Sequence, residues 1–104
     1  MAVLDEDLDL ANRVRIPRLG FGTWQISDGD PAHDAVLYAL QHGYRHVDTA
    51  RAYGNEASVG RALRASGLPR SGVFLTSKLP AEVKTAEGAQ HLAVAANAAV
   101  CNDV

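Results

Sequence analysis

Asp48, Tyr53 and Lys78 are the residues of this chain best suited to moving a proton. A free tyrosine has a pKa of about 10 and is a poor acid at neutral pH. An ammonium beside its hydroxyl favours the phenolate and brings the proton within reach. A carboxylate paired with that ammonium would hold it in place and keep it charged. The three together would make a tuned proton donor. Such a donor suits a carbonyl oxygen that gains negative charge, as in reduction by hydride. Spacing alone leaves a blander option open. A Lys and an Asp at strand ends also form structural ion pairs, and a loop tyrosine also serves packing.

Residues this far apart meet only if a repeated element brings them to one edge. Residues 19–24, 45–49 and 73–77 read as three short apolar strands. The first, Leu-Gly-Phe-Gly-Thr-Trp, carries two glycines and reads as a buried strand that something approaches closely. Asp30-Pro31 reads as an N-cap followed by a proline at the first helical position. Ala32, Val36, Ala39 and Leu40 follow at helical spacing, and Gly43 suits the residue after the helix end. This predicts a helix over 31–42. A second helix opens at Asn55 or Glu56, carries Val59 and Leu63, and closes at Gly67 before Pro69. Thr85 caps a third, Ala-rich helix over 86–99.

The strands recur at intervals under about 30 residues, the period of βα units joined by right-handed crossovers in a parallel sheet. Ahead of them, residues 8–16 alternate as a hairpin, with Ala11-Asn12 at the turn and Pro17 ending the second arm. In parallel α/β architectures, ligands bind at the C-terminal ends of the strands. Thr23-Trp24, Asp48 and Lys78 all fall there, with Tyr53 in the loop after Asp48.

Composition narrows the class. The 104 residues carry a net charge of −2, with 21% charged and 47% hydrophobic residues, the balance of one ordinary globular domain. Alanine supplies 18 of the hydrophobic residues, so the core is smaller than that percentage suggests. No basic stripe points to nucleic acid. No apolar run approaches the ~18 residues of a membrane span. The first ten residues are acidic, so no secretory signal is expected. One cysteine, Cys101, excludes an intrachain disulfide framework, and a cytoplasmic location is expected. Cys101 has no base partner that can be placed near it and reads as incidental. His33, His42, His46 and His91 form no ligand pattern, so no metal is expected and each reads as solvated.

Residues 16–79 resemble the N-terminal part of the aldo-keto reductase family, in the style of its bacterial diketogluconate reductase-like members. The stretches that carry the resemblance are Ile-Pro-Arg-Leu-Gly-Phe-Gly-Thr-Trp (16–24), Gly-Tyr-Arg-His-Val-Asp-Thr-Ala (43–50), Ala-Tyr-Gly-Asn-Glu (52–56), Val-Gly-Arg-Ala-Leu (59–63) and Val-Phe-Leu-Thr-Ser-Lys-Leu (73–79). They occur in order and at the family's spacing. The resemblance implies an α/β fold: part of a (β/α)8 TIM barrel, with the N-terminal β-hairpin (8–16) and the first three βα units (19–99), all in one domain over 1–104. It implies an NADP(H)-dependent oxidoreductase that reduces aldehydes or ketones to alcohols. Tyr53 matches the catalytic acid, and Asp48 and Lys78 match its partners. Gly22, Thr23 and Trp24 match the strand end lining the nicotinamide and substrate pocket. Asp48 also falls where the family contacts the nicotinamide ribose.

The family's catalytic histidine ends a fourth strand, and its phosphate site follows strands seven and eight. Neither matches a segment of these 104 residues. The chain by itself is therefore expected to hold the cofactor poorly and to be inactive. From His91 onward the sequence departs from the family pattern and is poor in large apolar residues. Three strands covered on one side would leave an uncovered face and two open edges. Phe21, Trp24 and Val47 would then lose burial, and marginal stability or self-association through the edges is expected. The alternative function is a non-catalytic scaffold that associates through those edges.

Overall fold

Local sequence signals place most of the element ends. In the computed structural model, which describes residues 5–100, β1 (Asp7–Asp9) and β2 (Arg15–Pro17) form an antiparallel hairpin that pairs Leu8 with Ile16. The turn differs from expectation in one detail. Arg13, not Asn12, takes the left-handed backbone, at φ 68°. Asn12 Oδ1 instead accepts the Val14 amide at 3.2 Å, so its side chain closes the turn while its neighbour makes the reversal.

The second sheet holds β3 (Phe21–Gly22), β4 (His46–Asp48) and β5 (Phe74–Thr76) in the order β3-β4-β5, all parallel. Helices α1 (Asp30–Gln41) and α2 (Glu56–Ala65) connect them, and α3 (Ala86–Val100) follows β5. The chain is thus an α/β protein with a hairpin and three successive βα units. A parallel sheet in this sequential order is what the βα repeat requires and excludes an unrelated strand order.

Helix α1 begins one residue earlier than predicted. Gly29, at φ 93°, is its N-cap, and Asp30 and Pro31 are its first two helical residues. The α1 amides receive no side-chain cap; the Gly29 amide donates to Ser58 Oγ at 2.7 Å, so a side chain from α2 anchors the cap residue itself. The far end follows expectation. Gly43 adopts φ 102°, Tyr44 N donates to Ala39 O, and Gly43 N donates to Leu40 O, the paired bonds of a Schellman stop. At α3 the Thr85 hydroxyl accepts the Gly88 amide at 3.0 Å, as an N-cap should.

The period-two alternation of the strands sorts the sheet into two unlike faces. Phe21, Val47 and Leu75 share one face and pack with Val36, Leu40, Val59, Ala62, Leu63 and Val73. Val47 is fully buried there, so the expected loss of burial does not occur at that residue. The other face carries His46, Asp48, Phe74 and Thr76, all only half-buried. Trp24 lies past the end of β3 and is 66% exposed, so residues 19–24 are not the buried strand the apolar run suggested. His46 is not solvated as expected. Its ring meets Phe74 edge-on at 5.2 Å and contacts Thr76 Oγ1 at 3.3 Å. It also explains one glycine: a Cβ on Gly20 would come within 3.0 Å of the His46 ring. Cys101 lies outside the described residues.

Candidate active site

Backbone pairing carries past the formal strand ends and sets the positions of the site residues. Thr23 N donates to Asp48 O at 3.0 Å, Thr49 N to Thr76 O at 2.8 Å, and Arg51 N to Lys78 O at 3.2 Å. Asp48 therefore ends β4 beside the chain that leaves β5, and Lys78 stands opposite it. A 3-10 turn over Arg51–Tyr53 then swings Tyr53 back toward them, and Gly54 reverses the chain at φ 70°. The segment expected as a loop is thus partly an ordered 3-10 turn.

Lys78 joins the predicted residues. Its Nζ donates to Asp48 Oδ1 at 2.7 Å and to Thr49 O at 3.0 Å, and makes a long contact to Tyr53 Oη at 3.5 Å. The three donors of an ammonium are thereby matched to three acceptors. Nζ also lies 5.1 Å from the Tyr53 ring centroid, within cation–π range. Partial desolvation is the largest single influence on Lys78 and pulls its pKa down. The Asp48 hydrogen bond and charge, reinforced by Tyr53, outweigh it, so Lys78 titrates above the ordinary lysine value. The ammonium is thus held charged at neutral pH.

The predicted cofactor-side residues divide. Gly22 is exposed and pairs with Asp48 across the sheet, and a Cβ there would meet nothing within 4 Å. Its bare backbone leaves an open shelf beside the carboxylate. Trp24 borders the same strand end with an exposed indole. Thr23 differs: it is fully buried, and its hydroxyl donates to Asp48 O at 2.9 Å, so its side chain braces the site from behind. Among the described residues no group of three or more His, Cys, Asp or Glu could hold a metal ion. No helix there is long and apolar enough to cross a membrane.

Behind the cluster lies a network the sequence reading missed. Asn55 is fully buried; its Nδ2 donates to Thr23 O at 2.9 Å and Ile26 O at 3.0 Å. Its Oδ1 accepts from Thr49 Oγ1 at 2.7 Å. Glu56, only 7% exposed, accepts from Ser77 Oγ at 2.6 Å. The available signal was two threonines at successive strand ends and an asparagine just ahead of a helix.

Three parallel strands alternating with helices, with Asp, Tyr and Lys gathered where the strands end, define a βα-repeat protein with its polar site at the C-terminal sheet edge. The chain belongs to the aldo/keto reductase family, whose pattern it matches over residues 18–99. That match continues beyond His91, into the helix where the sequence had looked divergent. Among curated relatives, the chain is 51% identical over 72 residues to glycerol 2-dehydrogenase (NADP(+)) from Saccharomyces cerevisiae, covering 69% of this chain and 23% of that protein. Among solved structures, an aldo/keto reductase from Brucella melitensis superposes with a TM-score of 0.87 at 41% identity, covering 91% of this chain and 37% of that one. A Bombyx mori aldo-keto reductase, solved in complex with NADP, superposes at 0.82 with 26% identity, covering 91% of this chain and 34% of that one. The chain spans about a quarter of the length of the curated relatives it matches.

Proposed function

We propose that these residues form the first three βα units of a (β/α)8 barrel and contribute the proton-donating part of an NADP(H)-dependent carbonyl reductase site. The observation that carries this reading is the single ammonium, Lys78 Nζ, shared by Asp48, Thr49 O and Tyr53 Oη at the strand ends. The shelf at Gly22, with Trp24 and Asp48, would hold the nicotinamide and its ribose, and NADPH bound there would supply a hydride to the carbonyl carbon. As that C–H bond forms, the carbonyl π pair moves to oxygen, and Tyr53 Oη gives that oxygen its proton. The phenolate left behind faces the Lys78 ammonium. Asp48 keeps the ammonium aimed. Small aldehydes or ketones are the substrate class. The 104 residues alone are proposed to be inactive.

The test restores a full-length context. Residues 18–99 replace the matching segment of the yeast glycerol 2-dehydrogenase. The chimera should consume NADPH in the presence of an aldehyde, and Tyr53→Phe should lower kcat by about 100-fold or more while KM moves little. A folded chimera whose Tyr53→Phe variant keeps its kcat would overturn the reading.

The second reading, a scaffold that self-associates, draws on the sheet order. Among the described residues, β3 and β5 each pair only with β4, leaving two open edges there. Sedimentation of the isolated chain at micromolar concentration should then give a dimer or larger; a monomer across that range rejects it.

A further inference from the structure

Asn55 and Glu56 are consecutive, yet between them they reach all three strands of the parallel sheet. Asn55 Nδ2 holds the carbonyl of Thr23, past the end of β3. Its Oδ1 holds the Thr49 hydroxyl, past the end of β4. Glu56 holds the Ser77 hydroxyl, past the end of β5. Each residue so held adjoins one already placed at the site: Thr23 precedes Trp24, Thr49 follows Asp48, and Ser77 precedes Lys78. Tyr53 enters from the same short segment, two residues before Asn55 across the left-handed Gly54.

Neither side chain is explained by its helix alone. Asn at an N-cap ordinarily turns its oxygen onto the helix amides. Asn55 is the N-cap of α2 but makes no side-chain cap bond. Its amide is turned to the strands instead. Glu56 gains from the first-turn dipole, but a nearly buried carboxylate remains costly with few partners. Among the described residues its one side-chain hydrogen-bond partner is the hydroxyl beside Lys78.

We propose that Asn55 and Glu56 are positioning residues: a two-residue clamp that fixes the three strand ends and the Tyr53 turn relative to one another, and so brings Lys78 Nζ and Tyr53 Oη together. The inference rests on the reading of Tyr53 as the proton donor, and its test avoids turnover so that the two can fail separately.

Lysine-labelled full chain is titrated by NMR through the alkaline range, reading the Lys78 side-chain carbon and the Tyr53 ring signals. Ser77→Ala cuts the β5 tie without touching Asn55. It should remove most of the upward displacement of the Lys78 titration and shift the Tyr53 ring signals, with the amide spectrum away from β5 and α2 unchanged. Asn55→Ala should do the same more strongly. Glu56→Gln, which keeps an oxygen for Ser77, should leave the Lys78 titration in place. A structural role alone would change stability in all three and leave Lys78 titrating as before. Wild-type Lys78 behaviour in folded Ser77→Ala therefore overturns the clamp, and this variant decides alone if Asn55→Ala does not fold. A displaced titration beside a fully active Tyr53→Phe chimera would refute the underlying reading and not the tie itself.

Discussion

The hydrogen bonds around Asn55 and those around Lys78 lie within a few residues of each other, yet one set is sealed and the other open. Thr23, Thr49 and Asn55 are each 0% exposed, and among the described residues no buried side-chain polar atom lacks a partner. The Lys78 side chain is 46% exposed and Asp48 32%. A sealed network cannot exchange its partners for water, so each bond fixes geometry and each loss is felt in full. An open cluster can exchange them, so its ion pair adds little stability but its protons stay accessible. The inner set holds the strand ends still, and the outer set is free to do chemistry. The contrast can be broken from either side.

The larger effect should come from the sealed side. Asn55→Ala leaves Ile26 O and the Thr49 hydroxyl without that partner in the interior, while Thr23 O keeps the Ile26 amide. Unfolding in urea should show a loss of about 2–4 kcal/mol with an unchanged slope. A loss under about 1 kcal/mol would mean that water reaches the network, and the contrast would fail. Lys78→Met should cost less, about 0.2–1 kcal/mol, because its ion pair is half-exposed. The sign of its pH dependence follows from the raised pKa of Lys78. The contribution is complete below the unfolded lysine value and is lost as pH rises through the higher folded value. Wild type and Lys78→Met should therefore differ at neutral pH and converge in strongly alkaline urea titrations.

The open cluster was legible in the sequence and the sealed one was not. Asp48, Tyr53 and Lys78 are chemically conspicuous, and the βα period puts two of them at strand ends. Gly43 and Gly67 mark helix ends because each takes a positive φ, a local requirement that shows in residue type. Asn55 has no such mark. It is a good N-cap type and stands where a helix opens, so local rules assign it to the helix. Its actual bonds go to Thr23 and Ile26, 32 and 29 positions away, and to Thr49. Pairings at that separation carry no periodicity. The same limit applies at α1, whose N-cap residue is Gly29 and is anchored by Ser58 from another helix. It explains Trp24 as well: an apolar run signals burial, but which residue of it turns outward depends on where β3 stops.

Ser58 bridges the two kinds of environment and gives the smallest prediction. It is fully buried, yet its hydroxyl donates to the exposed Asp28 carboxylate and accepts from Gly29 N and Arg61 Nη2. The Ser58 hydrogen bond is the main cause that lowers the Asp28 pKa below its ordinary 3.8; desolvation, the next largest influence, opposes it, and the Gly29 amide and the Arg61 charge add smaller help. A lowered carboxylate pKa contributes stability that is complete above the unfolded value and disappears as pH falls through the folded one. Asp28→Asn keeps an oxygen for Ser58 but cannot ionise. It should be slightly less stable than wild type near about pH 5, and the difference should close as the pH falls toward about 2. Because Asp28 itself faces water, the closing gap should also shrink in high salt, as exposed charges do. A gap that persists at low pH and ignores salt would place the Asp28–Ser58 bond with the sealed network, and the boundary between the two regions would then lie one residue further out.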